Sequence, residues 1–501
     1  MEIITNHLLT ILTFLPLVGA ITLLGFQRDN EGGVKLIASF FGFLNLVFGL
    51  CLFFLYSGNG AVFQFVEKYK WIESMGIQYY LGVDAVSMYL ITATTLMTAI
   101  CLVASWNIKK YVREYFLCIL FVESGVIGAL SALDLVLFYI FWEVMLIPMY
   151  FLIGIWGDYK RIYSTLKFYI YTMAGSVIML VAIFTLYWLN GKGNFEILSM
   201  YNMHIPASKQ MLLFLAFFVA FAIKVPLIPF HTWQPDTYVN APTAGTVLLA
   251  AVLSKMGVYG FYRFALPLFP DAAMRFTPVI ATLTLVAVVY ISLIAIVQKD
   301  MKRLIAYSSV AHLAIIILGL YLLTTQGVQG AIFQMLNHTV VTGALFLLLG
   351  ILFERSSSRM IADYSGLAKQ MPLYATFFMI AMLASVGLPG TNGFIGEFLL
   401  FIGIFKANIF YAVIACSGTV LGAIYILWMY QRSFFGPLEK EENKKLPDMN
   451  IREFGYMIPL IILIFVMGVF PQYFIQKFDN TSKNFINTVK SSNAVSMVID
   501  K

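Results

Sequence analysis

One stretch of the sequence, residues 221–264, reads FAIKVPLIPFHTWQPDTYVNAPTAGTVLLAAVLSKMGVYGFYRF. Its first apolar segment contains Lys224 and is interrupted by Pro226 and Pro229, and a polar loop then leads to a second apolar run with Lys255 near its middle. Each proline removes a backbone donor and disfavours helical geometry in the residue before it, so the helix should open just after Lys224. Lysines inside apolar segments are costly unless they are paired or hydrated, so this pair indicates a function.

The composition around this stretch is that of a membrane protein. Of the 501 residues, 60% are hydrophobic and 11% are charged, whereas a soluble domain has about 25% charged residues. A spanning helix needs roughly 20 apolar residues. We predict an all-α polytopic fold with fourteen membrane helices, at residues 8–25, 36–56, 85–105, 116–132, 134–155, 167–189, 211–229, 244–262, 278–297, 304–323, 330–352, 374–402 (interrupted), 411–431 and 456–473.

The ends of the chain and its basic residues predict the orientation. The start, MEIITNHLL, contains an acid and no Lys or Arg, and no small-residue cleavage pattern follows, so we expect the first helix to be retained. The loops after odd-numbered helices carry 19 Lys and Arg, and the other side carries 11, tail included. Cytoplasmic loops are enriched in these residues, so we expect both termini on the outer side.

The charge and the cysteines exclude several classes of function. The formal net charge of +7 follows from the asymmetry of the loops and gives no indication of nucleic-acid binding. Four cysteines lie singly in apolar runs without a CxxC motif or a neighbouring histidine, namely Cys51, Cys101, Cys118 and Cys416. We therefore predict no metal site and no cofactor in this chain.

Three acidic residues fall in predicted helices 4 and 5. Glu143 lies about nine residues into helix 5, roughly 13 Å along its axis and so near the bilayer centre, where we favour a function over a structural hydrogen bond between helices. For Glu123 both interpretations stay open. Asp134 lies between the two helices and is explained by an N-cap with a solvated carboxylate, which leaves it a secondary candidate. Helices 1–3 have no ionisable residue deep in an apolar run, and we expect them to face lipid or to serve as a scaffold.

A second interruption, GLPGTNG at 387–393, divides predicted helix 12 and is followed by Glu397. The broken helices 7 and 12 are five helices apart, and an odd number of helices inverts a repeat in the membrane. We therefore predict two inverted five-helix repeats, helices 4–8 (residues 116–265) and helices 9–13 (residues 278–433). Helices 1–3 (residues 1–115) would precede them, and a cytoplasmic loop, helix 14 and a polar tail (residues 434–501) would follow. For the tail, a docking arm, disorder and packing on the surface all stay open.

Histidines complete the set of candidates. A single buried histidine is more often a satisfied core residue, but His312 and His338 lie on successive helices among hydroxyl groups, which favours proton conduction. His231 lies beyond the first break and is a secondary candidate for proton relay.

Five segments together resemble a known family: FWEVMLIPMYFLIGIWG, IKVPLIPFHTWQPDTYVNAPTAGTVLLAAVLSKMGVYGFYRF, KDMKRLIAYSSVAHL, QMLNHTVVTGALFLL and LPGTNGFIGEF. They look like the antiporter-like membrane-arm subunits of respiratory complex I, the NADH:quinone oxidoreductase, and the resemblance extends from predicted helix 3 to helix 14. It implies a proton-translocating subunit without redox chemistry of its own. The relay residues that it implies are Glu143, Lys224, Lys255, His312, His338 and Glu397.

The resemblance also implies a setting. FMN, iron–sulfur clusters and quinone would belong to partner subunits, the homologous L and N subunits would be neighbours in the bilayer, and the location would be the bacterial inner membrane. Within the family, one type of subunit resembles this chain in having glutamate at the position of Glu397, whereas the other types usually have lysine there. Two alternatives remain at this stage, a subunit of a multisubunit Na⁺/H⁺ antiporter and a purely structural membrane scaffold.

Overall fold

The computed structural model describes residues 5–201, 203 and 205–499, with side chains up to residue 490. Its main helices are α1 (Leu8–Leu24), α2 (Glu31–Leu55), α3 (Ala85–Ala104), α4 (Val112–Ser131), α5 (Leu135–Trp156), α6 (Arg161–Asn190), α7a (Ala207–Lys224), α7b (Trp233–Asn240), α8 (Thr243–Leu268), α9 (Pro270–Ile296), α10 (Met301–Tyr321), α11 (Thr325–Ser356), α12a (Pro372–Ser385), α12b (Asn392–Ala407), α13 (Ile409–Phe434), α14 (Ile451–Val469) and α15 (Pro471–Ile499).

These helices confirm the predicted polytopic helical fold. Within the described residues, twelve helices are long and apolar enough to cross a membrane, and α1 and α12a are shorter apolar helices. The breaks predicted in helices 7 and 12 are both present, between α7a and α7b and between α12a and α12b. The count of fourteen crossings and the two inverted repeats stay predictions.

A β-hairpin between α2 and α3 was missed by the prediction from sequence. Strand β1 (Gln64–Ile72) pairs antiparallel with β2 (Ile77–Val83). The segment QFVEKYKWI does alternate apolar and polar residues, a pattern typical of a strand, but it is short beside the apolar runs around it. Glu67 of β1 is buried and accepts hydrogen bonds from the backbone amides of Leu9 and Thr10, so the hairpin caps the start of α1. We call this side of the bundle the hairpin end.

The helices begin at residues that satisfy the free amides of a first turn. A side-chain cap is present at Asp84 for α3, Asp134 for α5, Asp300 for α10, Asn408 for α13 and Asn450 for α14, where Glu453 completes a capping box. Such caps are worth about 1 kcal/mol each. They fix where each helix starts relative to the surface of the bundle.

The core of the bundle is built on α8, which is completely buried, together with α10 and α11, which are nearly so. Helices 1–3 were expected to face lipid or to serve as a scaffold, and α3 fits the second description. About four-fifths of its most apolar window is buried (78%), because it packs against α4, α8, α11 and α14 as well as α2. Small and β-branched residues on several of its faces permit this packing, whereas α2 remains largely exposed.

Helix α8 contains two π-helical segments, Leu248–Leu253 and Phe261–Ala265, and Lys255 lies between them. Such segments are frequent at functional sites because the wider turn redirects side chains and carbonyls. A Cβ at Gly257 would lie 2.9 Å from the carbonyl oxygen of Phe221 and from the amide nitrogen of Val225. Glycine at 257 therefore permits α8 to pack directly on the end of α7a.

The sequence predicted one continuous helix over residues 134–155, but α5 is interrupted. Its two halves, Leu135–Val144 and Leu146–Trp156, meet immediately after Glu143. Pro148 explains the interruption. Proline has no backbone N–H, so the carbonyl of Val144, four residues before it, lacks the donor that a regular helix would supply.

The tail forms α15, which crosses the hairpin end of the bundle. Two of its own side chains, Phe478 and Val489, are fully buried. The ammonium of Lys477 donates to the carbonyls of Phe53 and Tyr56 at the end of α2, at 3.1 and 3.0 Å. Of the three alternatives for the tail, packing on the surface of this chain describes residues 471–490.

Candidate functional site

Lys224 is the last residue of α7a, and its side chain is 2% exposed. Its Nζ lies 5.1 Å from the ring centroid of Trp142 and 5.9 Å from that of Phe168, within cation–π range, and has no hydrogen-bond partner in the described chain. The backbone opens directly after it, because Pro226 and Pro229 follow. The ammonium is thus held by two aromatic faces beside a break in the helix.

Glu143 lies near Lys224 but does not contact it. The carboxylate is half-buried, faces Ser176 of α6 and Tyr139, and lies within electrostatic range of Lys224. Nζ of Lys224 and Oε1 of Glu143 each have no hydrogen-bond partner among the described residues, so the two groups form no direct ion pair here. The ring of Trp142, the residue before Glu143, occupies the position over the ammonium.

Lys255 forms a direct contact between the two predicted repeats. Its buried Nζ lies 2.5 Å from the carbonyl oxygen of Ala250 and 2.6 Å from Nδ1 of His338 on α11. When Lys255 is protonated, its ammonium can only donate, and Nδ1 of His338 then accepts while the proton of the neutral ring is on Nε2. Nε2 has no hydrogen-bond partner among the described residues.

His338 and His312 face each other across a polar cavity. Their ring centroids are 5.9 Å apart. The cavity of about 20 Å³ has room for a water molecule. Its polar lining consists of Ser308, Ser309, His312, Gln334, Asn337, His338, Thr342 and Ser385.

His312 connects this cavity to Glu397. Its Nδ1 lies 2.8 Å from the carbonyl oxygen of Ser308, and its Nε2 lies 3.4 Å from Oε1 of Glu397. A carbonyl only accepts, so Nδ1 carries a proton, and protonation at Nε2 distinguishes the neutral ring from the cation. The structure therefore brings Lys255, His338, His312 and Glu397 into one contiguous chain.

Glu397 lies in the second turn of α12b, and its side chain is nearly buried. The break before α12b provides the space, because Gly387 has no side chain where the carboxylate lies. Thr419 of α13 approaches Oε2 at 3.4 Å. A second cavity, about 10 Å³, adjoins Glu397 and is lined by His312, Ser385, Thr419 and Tyr425.

The secondary candidates lie outside this chain of contacts. Glu123 is fully buried, and its Oε1 accepts a 2.8 Å hydrogen bond from Asn45 of α2, a contact that joins two helices. His231 lies in a short 3₁₀ turn between the halves of α7, half-buried, and its Nδ1 has no partner in the described chain.

Asp134 caps α5 as predicted, but its carboxylate is not solvated. It accepts hydrogen bonds from the amides of Val136 and Leu137, and also from Gln78 of β2. Burial raises the pKa of Asp134 to about 6, although these three amide donors oppose the shift. The hairpin, absent from the prediction, is what excludes water from this carboxylate.

The second half of the broken helix, α7b, is held by cations from other elements. Asp236 binds Lys167 of α6 at 2.8 Å and Arg303 of α10 at 2.6 Å. Lys302 and Arg359 donate to carbonyls at its carboxyl end, on Val239 and Ala241. Lys167, Lys302, Arg303 and Arg359 thus form a four-cation clamp on α7b.

Sequence reasoning missed several polar residues around the site. The hydroxyl of Tyr425 donates to Ser308, 2.8 Å away, beside His312. Arg263, counted above among the charges of the outer loops, is instead buried in α8 and paired with Asp84. An arginine eight residues beyond Lys255 in the same apolar run was the available signal. Within the described residues, no group of three or more His, Cys, Asp or Glu could hold a metal ion.

Comparisons with known proteins agree with this arrangement. Residues 132–422 match the family described as NADH:quinone oxidoreductase/Mrp antiporter, TM. The NADH-quinone oxidoreductase subunit M of Rhodobacter capsulatus is 45% identical, over 93% of this chain and 94% of its own length. Subunit M of Rickettsia prowazekii is 42% identical, over 96% and 98%.

A solved structure gives the same result at the level of the fold. A chain in respiratory complex I from Thermus thermophilus with bound NADH superposes with a TM-score of 0.88 and 29% identity, covering 96% of this chain and 99% of that one. The chain therefore belongs to the NADH:quinone oxidoreductase/Mrp antiporter family of membrane subunits, and within it to the subunit M group of the NADH-quinone oxidoreductases.

Proposed function

We propose that this chain translocates protons as a membrane subunit of an NADH:quinone oxidoreductase and carries out no redox chemistry itself. The observation that carries the proposal is the buried row of Lys255, His338, His312 and Glu397, in which the two histidines face each other across a polar cavity. Ionisable groups inside a membrane bundle are expensive, and a contiguous row of them is typical of a proton path.

The proposed order is Glu143, Lys224, Lys255, His338, His312 and Glu397. Lys255 passes a proton from Nζ to Nδ1 of His338, which releases its other proton from Nε2 into the 20 Å³ cavity. His338 is then left as the opposite tautomer and must reset before the next transfer. His312 receives the proton on Nε2 and passes it from the same atom to Oε1 of Glu397, so its Nδ1–H bond to Ser308 persists.

The path proposed here runs from the cytoplasm to the outside. The excess of Lys and Arg on the loops after odd-numbered helices puts the clamp on α7b at the cytoplasmic side and the hairpin end at the outer side. The break after Lys224 would admit water from the cytoplasm, because irregular backbone at membrane depth is tolerated where it lines a water-filled cavity.

The energy must come from partner subunits. The subunit M relatives are named for a complex that oxidises NADH and reduces quinone, and FMN, iron–sulfur clusters and quinone would be bound in its other subunits. Glu143 is only half-buried, so contact with a neighbouring membrane-arm subunit, homologous L or N, would change its surroundings. In a bacterium, the chain would lie in the inner membrane with both termini outside.

Lys224→Ala in the assembled complex tests the proposal. We expect NADH-driven proton pumping in membrane vesicles to fall severalfold, because the relay loses its carrier at the break. Lys209→Ala is a matched control, because Lys209 lies in the first turn of the same helix and is exposed. Pumping at the wild-type proton-to-electron ratio in the Lys224 variant would contradict the relay.

The same vesicles distinguish the alternatives. Sodium-dependent proton exchange without NADH would support the antiporter. The scaffold would be supported if alanine variants of Lys224, Lys255 and Glu397 assembled poorly but the complexes that did form still coupled NADH oxidation to proton pumping. Co-purification with flavin and iron–sulfur subunits would support the proposal.

A further inference from the structure

We infer that the buried Asp84–Arg263 pair consists of positioning residues that control how firmly Lys255 holds its proton, an inference that rests on the proposed function. The pair joins the start of α3 to α8. Nη2 of Arg263 lies 2.7 Å from Oδ2 of Asp84, and the two side chains are 5% and 2% exposed. Nothing in the relay described above uses these two charges.

The surroundings of the pair form a closed hydrogen-bond network. Tyr262 donates to Oδ2 of Asp84 at 2.7 Å, and the amide of Ser87 donates to Oδ1 at 2.9 Å. Nε of Arg263 donates to the hydroxyl of Tyr259 at 3.1 Å, and Nη2 donates to Oγ of Ser87 at 3.3 Å. Each charge is therefore compensated by its partner and by neutral donors or acceptors, and the cluster as a whole is neutral.

The cluster is aligned with the relay. Lys255, Tyr259 and Arg263 follow each other at intervals of four residues and so lie on one face of α8. The eight-residue separation corresponds to about 12 Å along the helix. Tyr259 joins the two regions, because its hydroxyl donates to the carbonyl of Leu130 at 2.9 Å, and Leu130 lines a cavity of about 10 Å³ beside Lys255.

Few other charges face Lys255. His338 of α11 contacts it, with His312 beyond, while α3 and α4 present only Leu90, Ala93, Thr94 and Leu130 across the cavity. The titratable and charged groups around the pair itself are Tyr56 of α2, Tyr201 after α6, Tyr259 and Tyr262 of α8, and Lys477 of α15, which binds the carbonyl of Tyr56. Phe63 covers the guanidinium from the hairpin side, 4.7 Å from its ring centroid.

The sign of the effect follows from Coulomb's law. Removing Asp84 leaves an uncompensated cation on the face of α8 that carries Lys255, which disfavours a proton there. Removing Arg263 leaves an uncompensated anion, which favours one. The rise of about 12 Å is a lower limit for the separation of the charges, because Nζ of Lys255 reaches back to the carbonyl of Ala250. With an effective dielectric constant of about 20, one charge therefore changes proton binding by at most about one pH unit.

The test is the pH dependence of NADH-driven pumping by the assembled complex in membrane vesicles. With Asp84→Asn we expect the alkaline decline in pumping to move to lower pH by at most about one unit, and with Arg263→Gln to move to higher pH within the same limit. The double variant restores neutrality, and its decline should return close to that of the wild type.

A structural role alone makes a different prediction. If the pair only fastened α3 to α8, both single variants would weaken assembly or pumping in the same direction, and the double variant would be no better. Tyr259→Phe is the control, because it removes hydrogen bonds of the cluster without changing charge and should leave the pH of the decline in place. Shifts of the same sign, or no shift, in the two single variants would overturn the inference.

Two further measurements keep the inference falsifiable. If either single variant fails to assemble, Phe63→Glu and Phe63→Lys place opposite charges beside Arg263 at a half-exposed position, and their declines should separate in opposite directions. The Lys224→Ala result distinguishes the two proposals. Pumping retained in that variant contradicts the relay itself, whereas pumping lost there with unshifted charge variants contradicts only the role of the pair.

Discussion

At the end of α12a, Gly387 has a φ of +77°, and a Cβ built on it would lie 3.1 Å from Oε2 of Glu397. Both facts concern a single residue, and both restrict position 387 to glycine. The backbone needs a conformation that L side chains rarely adopt, and the carboxylate of Glu397 occupies the space next to it. The break in helix 12 therefore both interrupts the helix and gives Glu397 its position.

Gly387→Ala should consequently do more harm than an ordinary substitution at positive φ. We expect a loss of about 1 kcal/mol in stability from backbone strain, plus a severalfold fall in pumping as Glu397 moves away from His312. Gly390→Ala is the matched control, because Gly390 has a φ of +90° in the same break and nothing within 4 Å of its Cβ position. Equal pumping rates in the two variants would show that the contact with Glu397 has no consequence.

Elements outside the relay fix the broken helix α7. The clamp on α7b takes Lys167 from one predicted repeat and Arg303 from the other, both on Asp236. The three side chains are between 18% and 37% exposed, so salt should screen their attraction. The position of α7b relative to the break thus depends on both repeats together.

Asp236→Asn should loosen this element specifically. We expect the backbone amides of residues 233–240 to exchange with deuterium about tenfold faster, since two partly exposed ion pairs contribute on the order of 1 kcal/mol together. Glu73→Gln serves as the control, because Glu73 forms an exposed pair with Lys70 in the hairpin and contacts no residue of the clamp. Unchanged exchange in residues 233–240 would contradict the clamp.

The elements also show what a sequence can and cannot predict. Both breaks were predicted, because Pro226 and Pro229, and the glycines of GLPGTNG, act on their own local backbone. The burial of Arg263 and the polar contacts of Asp134 were not, because their partners are distant in the chain and are selected by tertiary packing. Trp142 shows the same limit, since its ring lies 5.1 Å from Nζ of Lys224 and no local pattern in the sequence indicates that contact.

On the scale of the whole molecule, two elements cover the hairpin end of the bundle, the hairpin itself and α15. The hairpin caps the start of α1, and α15 lies across the ends of α2 and α3, with contacts to the start of α11 through Gln329 and Asp479 at 2.7 Å. Phe478 of α15 is fully buried against Tyr89 and Phe333. The tail is therefore part of the folded bundle.

Phe478→Ala should release this seal. Truncating a buried phenylalanine costs about 3–5 kcal/mol, so the undocked population of α15 should rise by a factor of about 100 or more. Limited proteolysis from the outer side of right-side-out vesicles would measure it, with cleavage expected between residues 471 and 490. Asn484→Ala, at an exposed position of the same helix, should leave cleavage at the wild-type rate.

The position of α15 in the chain has a consequence for biogenesis. Tyr89 and the carbonyl of Phe474 are 385 residues apart in sequence, and Phe53 and Lys477 are 424 apart. During synthesis from the N-terminus, the ends of α2 and α3 therefore remain without these partners until all the helices that precede α15 have been made. A chain that stops before residue 471 lacks this cover on the hairpin end, however well its membrane helices have inserted.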